Sequence, residues 1–266
     1  MSNLVFGKYI PIDSLMHKLD PRAKLIGLFL MIAAVFVPKS WWIFLLIALL
    51  LSIALLLAKI GIRMIVQSFK PMIMMMIFLL VINSLTVRTG DVLFTIGTFA
   101  VYKDAILNTM FVIVRLLLMI SITTLLTATT NPLDLTLGIE WLLTPLKVIH
   151  FPAHEVAMMV SIALRFIPTI IEETMRIMNA QKSRGVDFEN GKLSEKISAI
   201  LSLIVPLFSV AFERAYELAD AMEARGYVPG AERTRYHVLK FRFLDFLFMF
   251  ICTAILTVSI LSRFYL

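Results

Sequence analysis

Residues 105–128 read AILNTMFVIVRLLLMISITTLLTA, and Arg115 is the one ionisable side chain in the run. Crossing a bilayer core takes about 20 largely apolar helical residues, because backbone groups in lipid must bond within their own segment. The stretch meets that requirement, so the regular structure expected here is a spanning helix. Further apolar stretches lie at 25–37, 41–58, 71–87 and 243–261. The first is short for a full span. Lys24 at its start can snorkel, and Trp41–Trp42 can anchor the opposite interface. The alternative is a shallow re-entrant hairpin with the second stretch, and either route returns the chain to the same side by residue 59. The expected fold class is all-α: a polytopic membrane protein of about five transmembrane helices, with a largely helical insert between the fourth and fifth.

Composition agrees with this reading. Of 266 residues 60% are hydrophobic, with a mean hydropathy of +0.91, against roughly 45–50% apolar in soluble domains. The single cysteine, Cys252, lies in the last apolar run, which excludes an intrachain disulfide and a cysteine metal site. No cleavable signal peptide is expected, since the first 24 residues carry Lys8, Lys18, Arg22 and Lys24 without an apolar core before them. The net charge of +7 invites a nucleic-acid reading, but residues 130–242 hold 13 Lys/Arg against 13 Asp/Glu. The excess, 12 basic against 5 acidic, sits on the membrane part. Positive-inside loops and anionic lipid head groups account for it, and no nucleic-acid partner is expected.

Loop charges set an orientation. The N-terminus and the 59–70 loop, with Lys59, Arg63 and Lys70, belong inside. Lys39 marks one outer loop; Arg88 and Lys103, offset by Asp91 and Asp104, mark the other. Five crossings then leave the N-terminus and insert cytoplasmic and the C-terminus outside. The expected organisation is an N-terminal membrane domain over 1–128, a cytoplasmic coupling domain over 129–242 and a last transmembrane helix within 243–266.

The insert contains apolar windows at 156–171 and 197–212. Arg165 interrupts the first and Pro206 the second, and each is nearer 16 residues than 20. A hairpin there would also put Arg176, Lys182, Arg184, Lys192 and Lys196 outside, against the charge rule. Both are read as long amphipathic helices at or below the membrane surface, over about 153–184 and 194–225, each roughly 48 Å long at 1.5 Å per residue. Pro168 and Pro206 are expected to kink or interrupt them. The first carries Val156, Met159, Val160, Ala163, Ile167, Ile170 and Ile171 on one apolar side. Lipid, the other long helix or a membrane-embedded partner could cover that side, and its methionines suit an adaptable surface.

The two helices end alike. Glu172 to Gly185 (EETMRIMNAQKSRG) aligns without gaps to Glu213 to Gly226 (ERAYELADAMEARG), with Glu172/Glu213, Ala180/Ala221, Arg184/Arg225 and Gly185/Gly226 coincident. A glycine after the last turn takes the left-handed cap, and a neighbouring cation suits the negative end of the helix dipole. Each Arg-Gly therefore reads as a helix stop. As a pair at two rigid tips, they also read as two guanidinium forks suited to carboxylates and carbonyls of a partner.

Signals for catalysis are poor. Gly185 to Gly191-Lys192 has five residues between the glycines instead of the four of a phosphate loop, and Leu193 replaces the Ser/Thr. His150 and His154 are separated by Pro152, and His154-Glu155 has Met158 where a zinc-protease motif needs a second histidine. His17 and His237 are isolated. Arg115 is the one intramembrane charge and must face protein, a polar cavity or the outer head groups.

Several stretches together resemble the transmembrane T component (EcfT/CbiQ-like) of energy-coupling factor (ECF) ABC transporters. They are Asp13 to Leu25 with its Asp20-Pro21-Arg22-Ala23-Lys24, then Asn131-Pro132, Leu164 to Pro168, and the endings Ser183-Arg184-Gly185 and Ala224-Arg225-Gly226. The resemblance covers essentially the whole chain, with Ser183 where the usual tripeptide has alanine. It implies a scaffold with no enzymatic activity and no cofactor of its own, ATP and magnesium being held by partner ATPase subunits. Two ABC-type ATPases would each receive one tip, Ser183, Arg184 and Gly185 or Ala224, Arg225 and Gly226. One or several membrane-embedded S components, the substrate-binding subunits, would rest on a surface including Met159, Ala163, Ile167, Pro168, Ile171 and Pro206. Asp20, Pro21, Arg22 and Lys24 would form a structural motif. The implied function is ATP-driven uptake of vitamins or other micronutrients at the cell membrane. Three rivals stand beside it. A self-sufficient secondary transporter commonly uses intramembrane acids, which are nearly absent here; an intramembrane hydrolase needs a nucleophile or metal set. The permease of an ordinary ABC importer typically brings one short coupling helix per chain.

Overall fold

The computed structural model describes residues 9–38, 40–87, 89–96, 99–149, 152–188, 190, 192–229 and 239–265. Lys8, Lys39, Arg88, His150, Gly191 and His237, which enter the sequence reading, lie outside them. The described helices are α1 (Pro21–Phe36), α2 (Trp41–Leu57), α3 (Ile62–Phe69), α4 (Ile73–Thr86), α5 (Lys103–Thr129), α6 (Pro132–Leu143), α7 (Ala153–Ser183), α8 (Leu193–Ala224) and α9 (Phe243–Tyr265). Short 3-10 turns join α3 to α4 and follow α6. The fold is all-α and polytopic, and one small antiparallel hairpin, β1 (Val92–Ile96) with β2 (Phe99–Tyr102), lies between α4 and α5.

The chain divides into two compact units, residues 7–142 with 239–266, and residues 143–238 with the first six. In the first unit α1, α2, α5 and α9 bury Met31, Ala34, Val35, Phe44, Ile47, Leu51, Leu118, Ile122, Cys252 and Ile255. Gly27 permits the close approach of α1 and α9, because a Cβ there would collide with the ring of Phe248. Contacts fix the direction of each pass. The amide of Asp20, ahead of α1, donates to Asp245 near the start of α9, so α1 and α9 begin at the same end. The amide of Ile10 donates to the carbonyl of Ala128, and Ala58 and Ile60 pack on Ala128, so α2 and α5 finish at that end. Asn83 near the end of α4 donates to Thr109 near the start of α5, at the other. Five helical passes therefore alternate within this unit, with α9 finishing opposite the end where α1 begins.

Lengths differ among these passes. At 1.5 Å per residue, the 16 residues of α1 and 17 of α2 rise about 24 and 26 Å, while the 27 of α5 rise about 40 Å.

In the second unit α7 and α8 are continuous helices of 31 and 32 residues packed on each other. Of the kink or interruption expected at the prolines, interruption is corrected: Pro168 and Pro206 lie inside unbroken helices. So is the argument from length that set these segments apart from the spans. By length and composition alone, five helical segments among the described residues suffice to cross a membrane: 62–86, 103–129, 153–183, 193–224 and 243–264. Three of them match apolar stretches read from sequence; α7 and α8 take the places of 25–37 and 41–58. The physical reason is that an internal proline forfeits one hydrogen bond without necessarily ending the helix.

Candidate functional site

Both Arg-Gly endings fold as the same complete cap. In α7 the amide of Gly185 donates to the carbonyl of Lys182 at 3.0 Å and that of Val186 to Gln181 at 3.1 Å. In α8 Gly226 donates to Glu223 at 2.8 Å and Tyr227 to Met222 at 3.0 Å. These are the two bonds of a Schellman motif, with glycine at the left-handed position, where φ is +87° at Gly185 and +71° at Gly226. No neighbour comes within 4 Å of a Cβ built on either glycine, so left-handed backbone, and not space, is what selects glycine there. Arg184 and Arg225 are the C-cap residues, with nearly equal backbone angles (φ −88°, ψ 6°; φ −91°, ψ 9°). Both are exposed, and neither guanidinium has a hydrogen-bond or ion-pair partner among the described residues. Ser183 spends its hydroxyl on the carbonyl of Asn179, at 3.0 Å.

A hydrogen bond ties one tip to the middle of the other helix. Pro206 has no N–H, so the carbonyl four residues back, Ser202, lacks its helical donor. The side-chain amide of Gln181, three residues before Arg184, donates to that carbonyl at 3.2 Å. The proline and the glutamine thus work as a pair across the α7–α8 contact.

Much of the remaining surface of the two helices is apolar and exposed among the described residues. On α7 Met159, Ala163 and Pro168 are exposed, and Ile167 and Ile171 half-buried. On α8 Pro206 is half-buried, but Ile197, Leu201, Val205, Phe208, Phe212 and Tyr216 are all exposed, with Phe208 stacked on Phe212. That stripe is absent from the sequence-derived surface, although its spacing of four, four, three, four and four is the helical period that reveals one.

The Asp-Pro-Arg-x-Lys motif builds the start of α1. Asp20 is the N-cap, accepting from the Arg22 amide at 2.9 Å, and Pro21 takes the first helical position. Arg22 lies over the rings of Trp141 and Phe241, at 5.5 and 5.9 Å. Lys24, buried, donates to the carbonyl of Thr129 at 2.8 Å and to that of His17 at 3.4 Å. Asp245 closes the cluster: its two carboxylate oxygens accept from the amides of Asp20, at 2.7 Å, and Arg242, at 2.6 Å. Asp245 is missing from the sequence reading; the one local signal was an acid three residues into a helix.

Arg115 sits where α1 ends. Its Nη2 lies 3.5 Å from the carbonyl of Pro38 and its guanidinium 5.9 Å from the ring of Phe36. At that end of α1 its partner is the backbone carbonyl of Pro38, just past the helix, in place of an acidic side chain. The short α1–α2 hairpin places that end alongside the middle of α5. Among the described residues no group of three or more His, Cys, Asp or Glu could hold a metal ion.

Alternating apolar helices, several of them long enough to cross a bilayer, define an all-α, multi-pass membrane protein. A family model described as "Cobalt transport protein" (CbiQ) matches residues 13–238. The chain is 45% identical over 239 residues, 90% of each chain, to the energy-coupling factor transporter transmembrane protein EcfT of Bacillus subtilis. It is 41% identical to that of Listeria innocua over 245 residues, 92% of each chain. With that of Ruminiclostridium cellulolyticum it shares 39% over 262 residues, 98% of each chain. The chain belongs to this family of energy-coupling factor transporter transmembrane components.

Proposed function

We propose that this chain is the scaffold through which two ABC-type ATPase subunits drive a membrane-embedded, substrate-binding S component, importing vitamins or other micronutrients. The observation that carries the reading is the pair of matching caps, each presenting an unpartnered arginine at the end of a helix more than 30 residues long. A planar guanidinium on a rigid tip meets carboxylates and carbonyls of a groove with bidentate geometry. Ser183-Arg184-Gly185 docks in one ATPase and Ala224-Arg225-Gly226 in the other. ATP and magnesium bind to those subunits, and this chain contributes no catalytic group. The exposed apolar faces of α7 and α8, from Met159 to Ile171 and from Ile197 to Tyr216, receive the S component. When the ATPases change their spacing, anchored helices carry the displacement as levers, and the S component reorients. Positive-inside charges put the N-terminus and both tips in the cytoplasm and the C-terminus outside.

The test is co-expression of the Arg184→Ala/Arg225→Ala chain with its ATPases and an S component. The expected result is loss of ATPase co-purification and of ATP-dependent uptake, with the variant still inserted in the membrane. Intact co-purification and uptake would overturn the assignment.

A further inference from the structure

Inside the first unit a cavity of about 170 Å³ lies among α1, α2, α5 and α9. Met31, Leu51, Ile122, Cys252 and Ile255 form its buried inner wall. At its outer rim Ile53, Leu57 and Ile251 are 45%, 44% and 41% exposed, so the cavity opens sideways on the flank of the bundle. We infer that it holds one acyl chain of a lipid from the surrounding bilayer, threaded between α2 and α9.

Three observations select this occupant. Cavities of about 150 Å³ lined by Leu, Ile and Phe stay dry and take small apolar molecules, and this one has the same kind of wall. Its polar groups gather at one end, where the Lys24 ammonium gives two of its three N–H donors to the carbonyls of Thr129 and His17, and the rest of the wall is apolar side chains and the Cys252 thiol. Finally, the mouth opens where a spanning bundle meets lipid tails, which are as apolar as its own leucines. A partner's helix, about 10 Å across with its side chains, is too wide to enter. The lipid lies with its glycerol end toward Met16 and Lys24 and its chain running toward Met31 and Ile255.

The chain's one cysteine makes the inference testable, because Cys252 sits in the inner wall where lipid at the outer surface of the bundle cannot reach it. Purified full-length protein is reconstituted in phosphatidylcholine vesicles containing a phosphatidylcholine with a diazirine near the end of one acyl chain. After photolysis, adducts are mapped by mass spectrometry. We expect adducts at Cys252 and Ile255 as well as on exposed Phe78 of α4. In Ala54→Trp, which fills the cavity, the inner-wall adducts fall at least ten-fold and the Phe78 adduct is unchanged. Ile53→Trp closes the mouth from its exposed side without touching the core and gives the same split should Ala54→Trp fail to fold. Absence of inner-wall labelling in the parent protein, as when the cavity awaits a partner's side chain, would overturn the inference. So would inner-wall labelling that survives both substitutions.

Discussion

Replacing Gln181 with leucine removes the donor that Pro206 makes necessary. The Ser202 carbonyl then has no helical N–H and no side-chain partner, because Ser202 already directs its own hydroxyl to Ala199, at 2.7 Å. Leaving a buried acceptor unsatisfied costs about 1–3 kcal/mol. Ser202 is half-buried, so water recovers part of this and the expected loss is about 1 kcal/mol, roughly a five-fold rise in the local opening constant. Pro206→Ala restores an N–H four residues after Ser202, and the carbonyl regains its helical donor. In that background Gln181→Leu is expected to cost close to nothing. The coupling of the double-mutant cycle should therefore be about 1 kcal/mol. Hydrogen–deuterium exchange of peptides covering residues 197–212 reads it directly, since protection there reports opening of α8 around the proline. Equal costs of Gln181→Leu in both backgrounds, or no cost in the parent chain, would refute the pairing of glutamine with proline.

Two further outcomes follow from the geometry. Asp245→Ala strips a shared carboxylate acceptor from the amides of Asp20 and Arg242. Hydrogen bonds to charged groups contribute about 1.5–3 kcal/mol each, so thermal unfolding in detergent should shift down clearly, read by a thiol-reactive dye at buried Cys252; an unchanged midpoint would contradict the clasp. Gly226→Ala forces a Cβ into left-handed backbone, at a cost of about 1–2 kcal/mol, and should speed amide exchange of the last turn of α8 at Met222–Tyr227 while leaving peptides of α9 unaffected.

What the sequence revealed was what is local. The Arg-Gly endings could be read because a Schellman cap is made by consecutive residues and asks for glycine at one position. The apolar passes could be read because lipid imposes length and hydropathy on each segment by itself. The α8 stripe is equally local, in a helical period that runs from Ile197 to Tyr216. Asp245 was hidden: its partner Asp20 stands 225 positions away, and the bond depends on α1 and α9 starting at one end. The environment of Arg115 was hidden because the group it meets is a backbone carbonyl at the end of α1, which leaves no mark on side-chain composition. Proline at 206 was misleading, since its effect depends on whether another residue, as Gln181 does, takes up the bond it forfeits.

The central claim is that the two tips sit on ATPase subunits, and site-directed crosslinking tests it most directly. Cys252 is changed to serine and a single cysteine is placed at Ser183 or at Ala224, each one residue before its arginine. The chain is co-expressed with its ATPases and S component, and a short thiol-to-amine crosslinker is applied to the intact complex in membranes. Each position is expected to join the chain to an ATPase subunit, and a control cysteine at exposed Phe264, at the far end of α9, to join to neither. An intact complex in which neither tip crosslinks to an ATPase would contradict the claim.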